Sequence, residues 1–263
     1  MPELPEVETV VRSLRPHLVG QTVRCAQFYS RLVTRGSRAH AARSLAGAVI
    51  LGIRRRGKQI FFDLDRGLLY IHLGMTGKLL WNTTPGKHAR AKLELDNGTL
   101  IYDDPRQFGR VEFFKQLPPA LNRLGPDALD IPFENFYARL KQHRGQVKPL
   151  LLNQCFLSGL GNIYIDEILF AARIHPRAPV ARFSKKRAQI LHKHLGEILQ
   201  LAIRHRGSSI SDYVDGAGDR GAFQQLHQVY GRAGERCPNC ATKIHRIVIG
   251  QRGTHYCPRC QRS

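Results

Sequence analysis

The sequence predicts an α+β fold: an N-terminal helix, an antiparallel β-sandwich, a helical domain and a small terminal β-hairpin. Three observations predict it. Apolar residues recur at helical spacing from the start, and strand-like runs broken by turn signals continue to about residue 114. Helical periodicity then takes over from residue 133 until paired cysteines begin at Cys237.

Val7, Val10, Val11, Leu14 and Leu18 place a helix over residues 5–17, ending before Gly20. Strands follow at 23–30, 49–55, 59–64 and 68–73, the last two divided by the turn signal Asp65-Arg66-Gly67. Residues 93–95 and 99–102 flank Asp96-Asn97-Gly98, a strong hairpin signal, and 110–114 is a further strand. Pro118, Pro119, Pro126 and Pro132 break regular structure, so 116–132 reads as a linker. Helices are expected over 133–144, 147–157 and 162–172, the last with Asn162 as its capping residue. Ser184 caps a longer helix to about 206, with Ile190, Leu191, Leu195, Ile198, Leu199 and Ala202 on one face and Gly207 past its end. The expected domains are 1–115, the linker, a helical domain over 133–228 and a terminal module over 229–263.

Composition narrows the partner. The chain of 263 residues carries a formal charge of +21, which points to a polyanion: most simply nucleic acid, with an anionic membrane surface as the other reading. The sequence holds no apolar run of membrane-spanning length and no secretory n-region and h-region, so a soluble cytosolic protein is expected. Cys237-Pro-Asn-Cys240 and Cys257-Pro-Arg-Cys260 lie sixteen residues apart, the spacing of a four-cysteine zinc site and not of disulfides. A hairpin between them, with Arg252 at its turn, has little core of its own, so the metal must organise it. With four protein ligands the zinc has no position left for water and is structural. Arg232, Arg236, Lys243, Arg246, Arg252, Arg259 and Arg262 against Glu235 make the module a clamp for nucleic acid. Cys25 and Cys155 read as buried free thiols.

The chemistry-bearing residues each admit two readings. Pro2 follows the initiator, and a small residue there favours removal of Met1, which would leave a secondary amine. An α-amino group titrates nearer neutrality than lysine, and a secondary amine attacking an aldehyde-like carbon gives an iminium with no N–H to lose, a persistent electron sink. Glu3 and Glu6 either complement the helix start or supply a proton shuttle beside the amine. Lys58, in Arg54-Arg-Arg-Gly-Lys58, is either part of a solvated turn or is aimed at phosphates and the amine. Met75, in His72-Leu-Gly-Met-Thr-Gly77, and Phe108, in Asp103-Asp-Pro-Arg-Gln-Phe-Gly109, are either core side chains or wedges. Wedges suit an enzyme that everts a base, because apolar side chains with an arginine fill the gap left in the stack. Gly159-Leu-Gly-Asn-Ile-Tyr-Ile-Asp-Glu167 is an ordinary αα-turn or a phosphate site at a helix N-terminus. Gly216, Gly218 and Gly221 mark residues 215–223 as a flexible loop.

The segments PELPEVE with TVVRSL, HLGMTG, DDPRQFG, GLGNIYIDE and GQRGTHYCPRCQ occur in order over nearly the whole chain. Together they resemble the formamidopyrimidine-DNA glycosylase family of bifunctional DNA glycosylase/AP lyases. The resemblance implies an N-terminal sandwich, a helix–two-turn–helix and a zinc-finger hairpin. It implies Pro2 as Schiff-base nucleophile, Glu3 as proton donor, and Lys58 and Arg252 as catalytic residues. Met75, Arg106 and Phe108 become void fillers, Arg106 facing the orphaned partner base. His88, Asn162 and Arg144 become DNA contacts, and 215–223 a lesion-capping loop. Gln107 departs from the basic residue often found at its position. The implied activity is base-excision repair of oxidised purines (8-oxoguanine, formamidopyrimidines) in damaged double-stranded DNA, with β,δ-elimination. One structural Zn2+, a monomer without membrane association, and a bacterial-type cytoplasm beside the nucleoid complete the expectation. An endonuclease VIII-like enzyme for oxidised pyrimidines and a non-catalytic zinc-ribbon DNA-binding protein are the alternatives.

Overall fold

In the computed structural model, which describes residues 1–262, helix α1 spans Leu4–Leu18. All five positions of the expected stripe are buried. Pro5 sits in the first turn, where its missing N–H costs nothing. The strands are β1 (Val23–Phe28), β2 (Ile50–Arg56), β3 (Gln59–Leu64), β4 (Gly67–His72), β5 (Lys78–Trp81), β6 (Ala89–Leu95), β7 (Gly98–Asp103) and β8 (Arg110–Phe114). They form two antiparallel four-stranded sheets, ordered β1-β6-β7-β5 and β2-β3-β4-β8.

Alternation along the strands explains the layers. Ile60, Phe62 and Leu64 of β3 enter one core with Leu69 and Ile71 of β4, Leu93 of β6, Leu100 of β7 and the α1 stripe. Phe61, Leu68 and Tyr70 face the other way and pack with Phe114, Leu117 and Leu121. Part of the proline-rich stretch expected as a linker therefore covers the outer face of the second sheet. Helix α2 (Arg38–Leu45), capped by Ser37, and β5 were not expected; α2 is short and half polar, and β5 is only four residues long.

Clustering of contacts groups residues 1–123 with 205–224 in one compact unit, and 124–204 with the chain from 225 onward in a second. Residues 205–224, expected in the helical domain, thus belong with the sandwich; Tyr213 lies in its core. The second unit holds α3 (Phe133–Lys141), α4 (Val147–Leu152), α5 (Asn162–Ala171), α6 (Lys185–Arg204) and the hairpin β9 (His245–Ile249) and β10 (Arg252–Tyr256). Ser263, the last residue of the expected finger, lies outside the described residues.

Four local expectations are corrected. Helix α4 stops well before 157, because Asn153 Oδ1 accepts the Cys155 N–H and turns the chain. Gly161, not Asn162, is the N-cap of α5. On α6, Ser184 Oγ does accept the Arg187 N–H, but Ile190 is exposed; Ala188, Leu191, Leu195, Leu199 and Ala202 form the buried stripe. Cys155 is exposed and Cys25 half-buried, so neither is the buried thiol expected. No described helix is long and apolar enough to cross a membrane.

Candidate functional site

In the first unit the chain start is built into the fold. Pro2 is buried, as are the carboxyl-bearing residues Glu3 and Glu6. These two form a reciprocal capping box: Glu3 accepts from the Glu6 backbone, and the Glu3 N–H donates to Glu6 Oε2 at 2.7 Å. Glu6 Oε1 also accepts the Ser208 N–H at 2.7 Å, and the Tyr213 hydroxyl donates to the Glu6 carbonyl at 3.2 Å. Gly207 makes the approach possible, since it has φ +77° and a Cβ there would lie 2.6 Å from Glu6 Oε1. Glu6 is thus the anchor of the terminus, a role that its E-x-x-E spacing with Glu3 signals only as a helix start.

Charges converge on the terminal amine. Burial pushes the Met1 ammonium below its ordinary pKa; Glu3 and Glu6 oppose this, and Lys58 and Arg106 add to it. Lys58 is buried in the two-residue turn between β2 and β3, where Gly57 adopts φ +60°. A solvated turn is therefore excluded. His72 pairs with Gln59 across the sheet, and burial, then Lys58 and Arg110, push its pKa down to about 4. The imidazole is neutral near pH 7, and its Nδ1 accepts the Gly74 N–H at 3.1 Å. An amine of lowered pKa beside carboxylates and a lysine can serve as a nucleophile with proton carriers at hand.

The same unit brings the two glycine-bearing loops together. Met75, Arg106 and Phe108 are all exposed, Phe108 by 59%. The Arg106 guanidinium lies over the Phe108 ring at 4.7 Å. Gly74, at φ +60°, lets the loops touch, since a Cβ would fall 2.6 Å from Gly109 N. None of Met75, Arg106 and Phe108 is a core side chain. Gln107, at φ +55°, accepts from Ser30 Oγ at 2.6 Å, so the residue in place of a cation fastens its loop. Half-buried His88 stands next to these loops, its carbonyl accepting the Asp104 N–H at 3.0 Å.

The glycine-marked 215–223 loop is fastened in this structure, against the expectation of flexibility. Gly216 donates to Ser13 Oγ of α1 at 3.0 Å and accepts from Trp81 N of β5 at 2.9 Å. Asp215 pairs with Arg206, and its Oδ1 accepts from the Ala217 and Asp219 N–H groups.

In the second unit, Asn162 opens α5 and donates from Nδ2 to the Gly253 carbonyl at 2.9 Å. Its amide thus reaches the residue next to Arg252. Arg252 is exposed at the start of β10, after the positive-φ turn Gly250-Gln251. A wholly buried pair, Lys148 Nζ to Asp166 Oδ1 at 2.6 Å, supports the same strand, because Asp166 Oδ2 accepts the His255 N–H at 2.8 Å. Arg144 is exposed beyond the end of α3.

The four cysteines converge as expected, with all Sγ atoms within 4.8 Å of one another. A tetrahedral zinc with Zn–S bonds of about 2.3 Å needs S–S edges of about 3.8 Å. The Cys237–Cys260 and Cys240–Cys257 pairs stand at 3.8 and 3.4 Å. Cys260 N–H points at Cys257 Sγ, and the cysteines pack with Phe170, Val229 and Ile244. Cys237, Cys240, Cys257 and Cys260 hold one structural zinc.

Comparison with known proteins agrees with this geometry. Residues 1–111 match the formamidopyrimidine-DNA glycosylase N-terminal domain, 124–214 the H2TH domain of the same enzymes, and 234–262 a zinc finger found in FPG and IleRS. Sandwich, helical region and finger together define a zinc-finger DNA glycosylase. A formamidopyrimidine-DNA glycosylase of Solibacter usitatus is 51% identical, each chain being covered in full. The crystal structure of MutM (Fpg) from Thermus thermophilus superposes with a TM-score of 0.89 at 41% identity, covering 99% of this chain and 98% of that one. Lactococcus lactis Fpg, solved with an N7-benzyl-Fapy-dG-containing DNA, gives 0.91 at 37% identity, with both chains covered in full. The chain belongs to the formamidopyrimidine-DNA glycosylase family.

Proposed function

We propose that this enzyme excises oxidised purines, 8-oxoguanine and formamidopyrimidines, from duplex DNA and then cleaves the strand through a Schiff base on Pro2. The observation that carries the reading is buried Pro2 and Glu3 behind the terminal amine, whose pKa is lowered, with Glu3, Lys58 and Arg106 acting on it. Removal of Met1 would make Pro2 that amine. Complexes of Lactococcus lactis Fpg with Fapy-dG-containing and abasic-site-containing DNA support the substrate class.

In this mechanism DNA is bent and the damaged nucleotide everted, with Met75, Arg106 and Phe108 occupying the gap. The free Pro2 amine attacks C1′ while the C1′–base bond breaks, Glu3 assisting proton delivery. Opening of the sugar ring leaves the C1′ iminium. A base takes the C2′ proton, the C–H electron pair flows into the iminium, and its return expels the 3′ phosphate by breaking the 3′ C–O bond. A second elimination, with loss of the C4′ proton, releases the 5′ phosphate. Lys58 and Arg252 stabilise the departing phosphates, and hydrolysis of the iminium frees Pro2. His88, Asn162 and Arg144 contact the DNA backbone, and 215–223 covers the lesion. Zinc organises the finger that presents Arg252 and takes no part in the steps. The charge of +21 supports a monomer working at the bacterial nucleoid.

Single-turnover excision on matched duplexes tests this. Oxidised purines should be released faster than oxidised pyrimidines. The reverse order would make the enzyme endonuclease VIII-like, and tight duplex binding without excision would make it a DNA-binding protein alone.

A further inference from the structure

We propose that Asp104 is the positioning residue that sets the wedge, holding the Met75, Phe108 and His88 loops in one fixed register. The inference rests on the wedge reading above.

Asp104 has no exposed surface and follows β7. Its Oδ1 accepts from Thr76 Oγ1 at 2.6 Å, one residue beyond Met75. Its Oδ2 accepts from the Gly109 N–H at 3.0 Å, one residue beyond Phe108, and from the Tyr102 hydroxyl at 3.2 Å. Its backbone N–H donates to the His88 carbonyl, and its carbonyl accepts from Arg90 Nε at 2.9 Å. Thr76 Oγ1 closes the circuit by accepting the Arg106 N–H at 3.4 Å. One side chain thus fastens the residues directly behind two wedge tips, and its main chain fastens a third loop.

A carboxylate withdrawn from water is costly unless its oxygens are satisfied, and here donors from separate loops satisfy them. Tyr102 remains a donor throughout the working pH range, because burial and then the Asp104 charge raise its pKa. The tips are exposed, and the Arg106–Phe108 stack joins two of them to each other and not to the core. Their preorganisation before DNA arrives must come from below, and pre-set geometry spares the ordering cost on binding. A turn-forming aspartate needs only its own local N–H groups. Asp104 instead joins segments twenty-eight residues apart.

The test compares Thr76→Val, Thr76→Ser and Phe108→Ala on two duplexes, one with 8-oxoguanine paired to cytosine and one with a preformed abasic site. A 2-aminopurine beside the lesion reports eversion by fluorescence. Thr76→Val should slow eversion and excision about tenfold, the scale of one lost charge-assisted hydrogen bond, while changing abasic-site cleavage little. Thr76→Ser should restore both rates. Tyr102→Phe, which removes a single donor, serves if Thr76→Val does not fold. Wild-type eversion in Thr76→Val, or equal loss on both duplexes, overturns the positioning role. If Phe108→Ala itself shows no difference between the duplexes, the underlying wedge reading has failed, and a Thr76 effect would then belong to folding.

Discussion

The start of the first unit and the finger of the second each present a cation-bearing surface, yet they are fixed by different forces. Around Pro2, order comes from a large apolar core and from hydrogen bonds between distant segments, such as Glu6 to Ser208 and Asp104 to Thr76. Around Arg252, order comes from four thiolates on one metal, with a core of only a few side chains. The contrast teaches that the two should fail differently. A core-supported site loosens by degrees as single contacts go, whereas a metal-supported one is lost in a single step.

The largest effect should therefore follow Cys237→Ser or Cys257→Ser. Structural zinc in small fingers contributes about 10–16 kcal/mol, far beyond what this hairpin's own packing can replace. Metal analysis should find the zinc gone and duplex affinity collapsed, while calorimetry finds the sandwich still folding. Full duplex affinity in verified zinc-free protein would erase the contrast.

Next in size is the buried Lys148–Asp166 pair, which shows that the second unit also has a support independent of metal. Lys148→Met leaves the buried Asp166 carboxylate without its lysine, its Oδ2 still held by His255, at a cost of about 3–5 kcal/mol. Adding Asp166→Leu should recover much of that loss in urea titrations. Equal instability of the single and double variants would show that the charge pair is not the cause.

In the first unit His72 links stability to pH. Its folded pKa of about 4 lies below the ordinary histidine value, so the unfolded chain binds a proton that the folded one refuses. Its contribution is fully present above about pH 6.5 and is lost as pH falls towards 4, amounting to about 3 kcal/mol. Denaturation at pH 7 and pH 4.5 should show a smaller decline for His72→Gln than for wild type. Parallel declines would place His72 in water.

The smallest expected effect is on the exposed rim. Duplex binding should weaken steeply with salt, and Arg144→Ala should reduce the log–log slope by about 0.9, one phosphate contact. An unchanged slope removes Arg144 from the interface.

Much of this architecture was legible, and the parts that were not share a cause. The α1 stripe, the Asp96-Asn97 hairpin and the cysteine pairs are local patterns with fixed spacing, and the fold obeys them. Lys58 could not be read from its neighbours: a basic run looks solvated, and only the β2–β3 turn buries it. Asn162 has a capping residue's chemistry, but Gly253, ninety-one positions away, claims its amide. Glu6 and Asp104 read as helix and turn formers because their decisive partners are remote in sequence. The 215–223 glycines suggested motion, whereas Gly216 is small because it lies against Leu14. Local rules see the backbone a residue prefers. They do not see the long-range bonds that give it a function.

The proposed chemistry depends on Pro2 being the nucleophile. Borohydride reduction of the enzyme on a duplex containing 8-oxoguanine, followed by proteolysis and mass spectrometry, tests it directly. A DNA-derived adduct is expected on the peptide that begins at Pro2, with Met1 absent from the active protein. An adduct on Lys58, or full activity from protein that retains Met1, would contradict it.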